Sequence, residues 1–399
     1  MIKSIKLTNF FSFKDTKINL NNDLNILVGI NGSGKSNFLR AIRLLKTGVS
    51  GGELKELILD RWGGIDEIFF KGQTKEEFQN SIGLEFVFDH QIINKYGFFF
   101  KQDVIYKIVI VKSHGLNNYY ISDQIISPTG YIYLDIINGN GVLAERVSRS
   151  GTKTSLIRYD DFDPQELTLS KIFDSERYGA LNTIRKAISN IVVYDYFDTT
   201  PNSPIRKAMK ATSGKRLLPD GSNLPQILNT LNISHKKEYN KIVNLLNDVN
   251  ERFRGFDFHF LGSGNFELML DEADLDSSIH VTNMSDGTLR YLCLLAILYN
   301  PERGNFICID EPEVGLHPDM ALNITNAIKE ASKESNMIIA THSENILDAF
   351  DIEDVRIFEK DKNNSTIIKS FSKDDFKNWY DEYNLGKMWR KGDIGGNRW

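Results

Sequence analysis

One short stretch near the start of the chain has residue types and spacing suited to binding phosphate. Its pattern, G-x-x-x-x-G-K-[ST], surrounds the phosphates of a nucleoside triphosphate with backbone N–H groups, while the lysine neutralises charge and the hydroxyl ligates Mg²⁺. The pattern is matched by Gly29, Gly34, Lys35 and Ser36. The residues predicted to bind the nucleotide are Gly29, Asn31, Gly32, Ser33, Gly34, Lys35, Ser36 and Asn37.

The sequence around this loop predicts the elements that must position it. Residues 24–28 are an apolar, strand-like run, and residues 37–45 have a helical pattern, so the positive end of a helix dipole would face the phosphates. Residues 1–7 alternate apolar and polar side chains, which predicts an edge strand. The turn at residues 9–14 is rich in phenylalanine. It would either lie beside the nucleotide base or pack under the sheet, and both interpretations fit the residues equally.

Two carboxylates follow a second apolar run. Residues 306–309 predict a buried strand that delivers Asp310 and Glu311 at its carboxyl end. Asp310 would hold Mg²⁺ through its water shell, and Glu311 would orient and deprotonate the attacking water. Residues 337–341 predict another buried strand, after which His342 would sense a γ-phosphate. A histidine taken alone is more often structural, so that interpretation stays open.

A third motif, residues 284–288, precedes an apolar helical pattern at residues 291–298. Ser285 and Gly287 stand where that helix would begin, so the hydroxyl and the free backbone amides would bind an anion. Ser-Asp-Gly before a helix also serves as an ordinary cap. Taken alone, the motif therefore does not establish a binding site.

The order and spacing of these motifs resemble those of ABC-type ATPases. Ser285 precedes Asp310 by 25 positions, and His342 follows Asp310 by 32. The superfamily signature, LSGGQ, is matched by residues 284–288, with Asp286 in place of the first glycine and Thr288 in place of the glutamine. These two departures are expected of the branch with the RecF, structural-maintenance-of-chromosomes and overcoming-lysogenization-defect ATPases. The blocks that look like bacterial predicted ATPases of the AAA-21 type are 167–196, 217–224, 285–292 and 311–319.

The resemblance implies an α/β fold: a P-loop NTPase core of ABC ATPase type with an antiparallel β subdomain and an inserted helical signature lobe. ATP and Mg²⁺ would be the nucleotide and the metal. The implied divisions are ATPase lobe I (1–162), the helical lobe with the signature (163–304), the completion of lobe I (305–372) and a C-terminal tail (373–399).

The resemblance also implies roles for single residues. The catalytic candidates are Glu311 and His342. The metal candidates are Ser36, Asp310 and the Q-loop residue Gln165, with Glu166 as an alternative to Gln165. The D-loop would be residues 314–318. Two chains would form a homodimer, packed head to tail around ATP, in which each chain presents its signature to the other's nucleotide through Ser285, Asp286 and Gly287.

Composition and pattern limit the class of protein. The 399 residues are 41% hydrophobic and 25% charged with a formal net charge of −5, which describes a globular protein without a general coat of nucleic-acid-binding charge. No basic and apolar leader follows Met1, and the apolar run at 291–299 is too short for a membrane span. We therefore expect a cytoplasmic protein with no membrane contact. Cys293 and Cys308 lie in apolar segments and indicate neither a disulfide framework nor a zinc site.

The segments between the motifs have different biases. Residues 81–136 contain four strand-like runs, which predict the antiparallel β subdomain. Residues 163–249 are mainly helical, with a basic loop at 201–220 that would be either a solvated face or a contact to nucleic-acid phosphates. The aromatic and basic tail would dock an effector or a DNA end, or fold back onto the ATPase.

The leading functional hypothesis is an ATPase switch or clamp that acts on DNA or gates a separately encoded effector protein, in bacterial anti-phage defence or DNA repair. The step from ATPase to pathway rests on analogy with other proteins of the fold. One alternative is the nucleotide-binding subunit of an ABC transporter, against which the long insertion at 81–280 and the variant signature argue. The other is a regulatory scaffold with little turnover, which the complete set of nucleotide residues disfavours.

Overall fold

The computed structural model describes residues 1–51, 53–72, 80–115, 117–147, 154–210, 214–376 and 384–395. The strands in these residues are β1 Ile2–Phe10, β2 Phe13–Asn19, β3 Leu24–Val28, β4 Ser81–Phe88, β5 Val104–Lys112, β6 Tyr119–Ile126, β7 Ile132–Ile137, β8 Asn140–Arg146, β9 Thr154–Tyr159, β10 Ile191–Tyr194, β11 Met209–Lys210, β12 Phe253–Leu261, β13 Asn265–Glu272, β14 Ile279–His280, β15 Phe306–Asp310, β16 Asn336–Thr341, β17 Val355–Lys360 and β18 Thr366–Ser370.

The α-helices are α1 Lys35–Ser50, α2 Leu54–Glu56, α3 Ile65–Ile68, α4 His90–Ile93, α5 Gly179–Ser189, α6 Leu224–Ser234, α7 Lys236–Asn247, α8 Asp286–Leu298, α9 Pro318–Ser332, α10 Glu344–Leu347 and α11 Leu385–Lys391. A π-helical turn spans Leu57–Arg61. The 3₁₀ turns are Asn94–Tyr96, Thr168–Lys171, Pro204–Arg206, Gly262–Gly264, Val281–Asn283, Ile352–Asp354 and Lys373–Phe376. None of the helices among the described residues has both the length and the apolarity needed to cross a membrane.

The described residues divide into two compact units, 1–191 with 352–376 and 389–395, and 192–351 with 384–388. This division differs from the boundaries expected from the sequence. Residues 163–191, expected in the helical lobe, belong to the first unit, where α5 packs against α1 and Lys46 Nζ donates a hydrogen bond to Ser189 O (2.6 Å). Residues 305–351, expected in lobe I, belong to the second unit.

The first unit contains an antiparallel sheet with the strand order β2-β1-β4-β5-β6-β7-β8-β9. Buried and half-buried side chains alternate along β4 and β5, because one face of the sheet packs on the core. The prediction of an antiparallel β subdomain is thus confirmed. The prediction that residues 1–7 form an edge strand is wrong: the chain reverses after Phe10, so that β2 pairs with one side of β1 while β4 pairs with the other.

The first unit also holds the strand that leads into the phosphate loop. All five residues of β3 are buried, and β3 pairs in parallel with β17, which in turn pairs antiparallel with β18. The loop after β3 leads directly into α1, whose buried residues include Phe38, Leu39 and Ile42. The N-terminus of α1 is therefore held in place by an apolar core on one side of the helix.

The second unit carries the parallel pair β15 and β16, in which Asp310 is in register with Ala340. It also contains a small antiparallel sheet in which β12 and β14 pair with β13. Helix α8 is buried over most of its circumference and packs against α6, α7 and α9. Such a helix is held rigidly, because its apolar residues are enclosed on several sides.

Candidate nucleotide site

The phosphate loop joins β3 to α1 in the first unit. Lys35 is 5% exposed, and its Nζ donates to the carbonyl oxygens of Gly29 (2.7 Å) and Ile30 (3.3 Å). The ammonium group therefore lies inside the curve of the loop. Ser36 is exposed in the first turn of α1, where its hydroxyl is accessible to a metal ion.

A side chain would be accommodated differently at each of three glycines in the loop. A Cβ at Gly29 would lie 2.5 Å from Phe358 O, and one at Gly34 would lie 2.3 Å from Thr366 Oγ1. Gly34 also has φ 113°, in the left-handed region that disfavours other residues. At Gly32, by contrast, a Cβ would meet no heavy atom within 4 Å among the described residues. The loop is therefore closely packed on the protein side and open on the other.

Thr366, which the sequence did not indicate, and Ser12, in the phenylalanine-rich turn, hold the loop in shape. Thr366 is fully buried, and its Oγ1 donates to Ser33 O (2.7 Å) and lies 2.9 Å from Ser12 Oγ. Ser12 Oγ accepts a hydrogen bond from Asn37 Nδ2 (3.0 Å). Thr366 lies more than 300 positions from the loop in the chain, so no local pattern could have identified it.

A cavity of about 450 Å³ opens beside Asn37 and Ser12; we call it the Arg40 cavity. The guanidinium of Arg40 lies over the ring of Phe11, 4.8 Å from its centroid, and Arg40 Nη1 donates to Asn37 Oδ1 (3.0 Å). The other residues that line it are Glu67, Phe69, Phe70, Lys71, Gly72, Lys360, Asn363 and Asn364. Phe10, in contrast, is fully buried. The phenylalanine-rich turn thus contributes both to packing and to a cavity next to the loop.

The two carboxylates after β15 lie at the carboxyl end of the parallel pair. Glu311 N donates to Ala340 O (2.8 Å), which holds Glu311 at φ +49°, an uncommon conformation for a residue other than glycine. His342 Nδ1 lies 3.1 Å from Glu311 Oε1, and both side chains are partly exposed. The structure thus brings the predicted catalytic pair into contact at the end of two neighbouring strands.

Glu313 belongs to the same cluster, although the sequence did not indicate it. Its Oε1 accepts hydrogen bonds from Thr341 Oγ1 (2.5 Å) and His342 N (3.3 Å), and its side chain is only 10% exposed. Glu313 therefore fixes the backbone that carries the histidine. The signal was present as the second glutamate of Asp310-Glu311-Pro312-Glu313, but the sequence does not reveal its contact with the end of β16.

The signature motif forms the N-terminus of α8. Ser285 is the N-cap, and its Oγ accepts from Thr288 N (3.1 Å). Ser285 and Asp286 are exposed. The helix end is therefore capped by Ser285 and still accessible to a second molecule, so the cap and the anion-binding interpretations are compatible.

The predicted D-loop packs on this helix within the same unit. A Cβ at Gly287 would lie 2.9 Å from Gly315 O, and Arg290 Nη1 donates to Val314 O (3.3 Å). The Arg290 guanidinium also lies over the ring of Tyr196 at 3.7 Å. Burial lowers the pKa of Arg290 from its usual value, yet a guanidinium stays charged at neutral pH. These contacts couple the position of α8 to the loop after Glu311.

The structure does not bring Gln165 to the phosphate loop, which corrects its assignment as a metal ligand. Gln165 Nε2 donates to Tyr119 O (3.2 Å) in the antiparallel sheet. The segment that follows packs against the C-terminal end of α1, since a Cβ at Gly48 would lie 2.6 Å from Leu167 Cδ1. Ser36 is at the opposite end of that 16-residue helix. Glu166, the alternative, pairs with Lys171 (2.8 Å) in the same region.

Of the basic residues between 206 and 216, only Arg206 is buried, although Lys215 and Arg216 also contact polar groups of the chain. Arg206 is buried against the signature motif, Arg216 Nε donates to Glu302 O (2.7 Å), and Lys215 Nζ lies 3.5 Å from Glu302 Oε1. Lys207 and Lys210 are exposed. Burial therefore removes Arg206 from any contact with a nucleic acid, whereas Lys207, Lys210 and Lys215 remain exposed.

The residues present fit a bound triphosphate and its metal. The loop is open at Gly32, the Lys35 ammonium is at its centre and the Ser36 hydroxyl is accessible. In the second unit, Asp310 and Glu311 carry carboxylates of the kind that ligate Mg²⁺ or accept a proton from water. Each unit taken by itself thus carries side chains whose chemistry suits a nucleoside triphosphate with Mg²⁺.

Comparison with known proteins shows which family and which relatives the chain resembles. Residues 24–348 match the AAA_21 family, described as "AAA domain, putative AbiEii toxin, Type IV TA system". The chain is 24% identical over 277 residues to the structural maintenance of chromosomes protein 3 homolog of Plasmodium falciparum (isolate 3D7), covering 66% of this chain and 22% of that protein. It is 28% identical over 167 residues to the chromosome partition protein Smc of Coxiella burnetii (strain RSA 493 / Nine Mile phase I), covering 42% and 14%. The chain thus spans less than a quarter of either relative.

Two solved structures share the fold. The SmcHead bound to the C-winged helix domain of ScpA superposes with a TM-score of 0.56 at 17% identity, over 94% of this chain and 99% of that one. The Smc head domain with an extended coiled coil, bound to the C-terminal domain of ScpA derived from Pyrococcus furiosus, gives 0.54 at 14%, over 96% and 98%. The predicted fold class, an α/β P-loop ATPase core with an antiparallel subdomain, is confirmed.

Proposed function

This chain belongs to the AAA_21 family, and from that premise we propose that it is an ATP-hydrolysing switch whose two copies join head to tail around ATP and separate after hydrolysis. The observation that carries the proposal is the contact of Glu311 with His342 at the end of β15 and β16. A carboxylate held beside a histidine at this position is suited to orient water and to accept its proton. The phosphate loop supplies the binding residues.

Each residue has a distinct role in this proposal. The loop amides and Lys35 would bind the phosphates, and Ser36 and Asp310 would each be a ligand for Mg²⁺, which would offset phosphate charge when bound. Glu311 accepts the proton of the attacking water, and His342 keeps Glu311 oriented. Glu313 positions His342 through its hydrogen bond from the His342 backbone N–H.

The Arg40 cavity is the proposed site of the nucleoside. It adjoins Asn37, one residue after the metal-binding serine, and its volume is within the usual range of small-molecule pockets, about 300–1,000 Å³. The guanidinium of Arg40, already stacked on Phe11, offers a flat cationic face to a base.

Arg40→Ala is expected to raise the KM for ATP about tenfold and to change kcat little, because a base contact contributes equally before and during the chemical step. Steady-state kinetics on the variant beside wild type would measure both constants. Arg43→Ala, on the same helix, is the control. A drop in kcat with an unchanged KM would contradict placement of the base in this cavity.

The signature helix is proposed to act in the partner copy. Its exposed N-terminus would bind the γ-phosphate of ATP held by the other chain, so that hydrolysis removes the charge that joins the two copies. Turnover per chain should then rise with protein concentration. Measuring the ATPase rate from nanomolar to micromolar protein tests this, and a specific activity independent of concentration would contradict it.

We further propose that the switch gates a separately encoded effector or acts on DNA, in defence against phage or in DNA repair. The family description includes a toxin of a toxin–antitoxin system, which supports defence. Both fold neighbours were solved with a part of ScpA bound, which supports a protein partner. Turnover with and without double-stranded DNA separates the two. Stimulation favours a DNA clamp, and indifference favours a regulatory ATPase whose effector is another protein.

A further inference from the structure

We propose that Arg206 positions the signature motif and neutralises Asp286, so that a helix end bearing a carboxylate can still bind the γ-phosphate of the partner's ATP. This inference rests on the proposed function, because it concerns the same head-to-tail contact. It assigns a role to a residue nearly 80 positions from the motif, and it explains why an aspartate can replace the usual glycine.

Arg206 is a buried cation whose donors are almost all used by one loop. It is 6% exposed and ends the 3₁₀ turn Pro204–Arg206. Its Nε donates to Thr199 O (2.7 Å), which anchors the guanidinium to its own loop. The remaining bonds go to the residues around the start of α8: Val281 O (2.9 Å), Thr282 O (3.0 Å), Met284 O (2.8 Å) and Asp286 Oδ1 (2.7 Å).

These contacts determine how the chain enters α8. The three carbonyl oxygens bonded by Nη1 belong to three of the four residues that precede the N-cap, Ser285. Without Arg206, these partly or fully buried carbonyls would lose a charged donor, and the loop would rearrange to find other partners. The direction of the Ser285 hydroxyl and of the free amides of α8 therefore depends on Arg206.

The ion pair has a second effect, on charge. Asp286 is the first residue of α8, and its side chain is 64% exposed, so its carboxylate lies at the end of the helix that would receive an anion. An aspartate at this position stabilises the helix through its interaction with the helix dipole, but it repels a phosphate. Arg206 offsets that repulsion, because its Nη2 lies 2.7 Å from Asp286 Oδ1. Charge pairing of this kind restores the anion affinity that the aspartate alone would remove.

The test measures dimer mass by light scattering over a range of protein concentrations with ATP and Mg²⁺, in a Glu311→Gln background that does not consume the nucleotide. Arg206→Met is expected to raise the dimer dissociation constant about tenfold or more. Lys207→Met, which removes the neighbouring exposed charge, is the matched control and should leave the constant within about twofold, as is usual for an exposed site. Binding of a fluorescent ATP analogue to each monomer confirms that the variants fold.

Changes at Asp286 separate the charge effect from simple packing. Asp286→Asn alone is expected to lower the dissociation constant, because Arg206 then faces the phosphate unopposed. Added to Arg206→Met, Asp286→Asn should recover about threefold or more of the lost affinity. If Arg206 served only for packing, adding Asp286→Asn would recover none of the lost dimer affinity. If Arg206→Met does not fold, the Asp286→Asn variant alone tests the proposal. Weaker dimerisation of Asp286→Asn than of the Glu311→Gln background would then overturn it.

The Glu311→Gln background distinguishes failure of the proposed dimer from failure of the proposed role of Arg206. If Glu311→Gln binds ATP and stays monomeric, the proposed head-to-tail dimer fails, and with it this inference. If it dimerises and Arg206→Met dimerises equally well, only the role of Arg206 is refuted.

Discussion

Glu311→Gln is expected to lower kcat for ATP by about 10²- to 10⁴-fold, the usual contribution of a positioned general base. The amide keeps the size of the carboxylate but cannot accept the proton of the attacking water. Binding of ATP should be retained, because the phosphate-binding residues are untouched. Phosphate release over time, measured beside equilibrium binding of a fluorescent ATP analogue, separates the two effects.

Glu330→Gln is a suitable control for this substitution. Glu330 is exposed on α9 in the same unit, and Lys241 contacts its carboxylate. Turnover of this variant should equal that of wild type, because an exposed ion pair contributes little. Wild-type turnover by Glu311→Gln would mean that another group activates water, and the catalytic role of the Glu311 and His342 pair would have to be abandoned.

Lys35→Ala should have the second largest effect, a rise of about 10²-fold or more in the dissociation constant for ATP. The ammonium lies inside the phosphate loop and is 5% exposed, so no mobile surface charge can replace it. Its carbonyl partners, Gly29 and Ile30, belong to the loop and carry no positive charge. Calorimetric titration with ATP and Mg²⁺ on both proteins measures the change.

Lys55→Ala provides the comparison for Lys35→Ala, since Lys55 is exposed on α2 and lies outside the loop. Its affinity for ATP should match that of wild type. An unchanged affinity in Lys35→Ala would show that the nucleotide binds elsewhere. The assignment of the Arg40 cavity as the nucleoside site would then be withdrawn.

The sequence predicted those parts of the site whose residues lie close together in the chain. The glycines and lysine of the phosphate loop, and the carboxylates after an apolar run, are adjacent in the chain, and each local geometry follows from the element before it. The fold class was implied by the resemblance of these motifs to those of ABC-type ATPases. Strand pairing was harder: β1 was expected at an edge, because alternation of apolar and polar residues cannot show how many neighbours a strand has.

The residues that the sequence missed act through long-range contacts. Thr366 reaches the loop from β18, Glu313 reaches His342 from another loop, and Arg206 reaches the signature from a segment interpreted as a basic surface. The resemblance implies that Gln165 is the Q-loop residue at the metal, yet its side chain donates a hydrogen bond to Tyr119 O. In each case tertiary packing determines which partner the side chain contacts, and the spacing of residues along the chain does not reveal that partner.

The most direct measurement is the mass of Glu311→Gln in solution with ATP and Mg²⁺, and again with ADP and Mg²⁺. An ATP-joined pair predicts twice the 45.6 kDa of one chain with ATP and a single chain with ADP. Ser285→Arg, which places a bulky side chain at the exposed N-cap, should abolish the dimer while each monomer still binds ATP. A monomer with ATP bound, or a dimer of equal strength with either nucleotide, would contradict an ATP-driven switch.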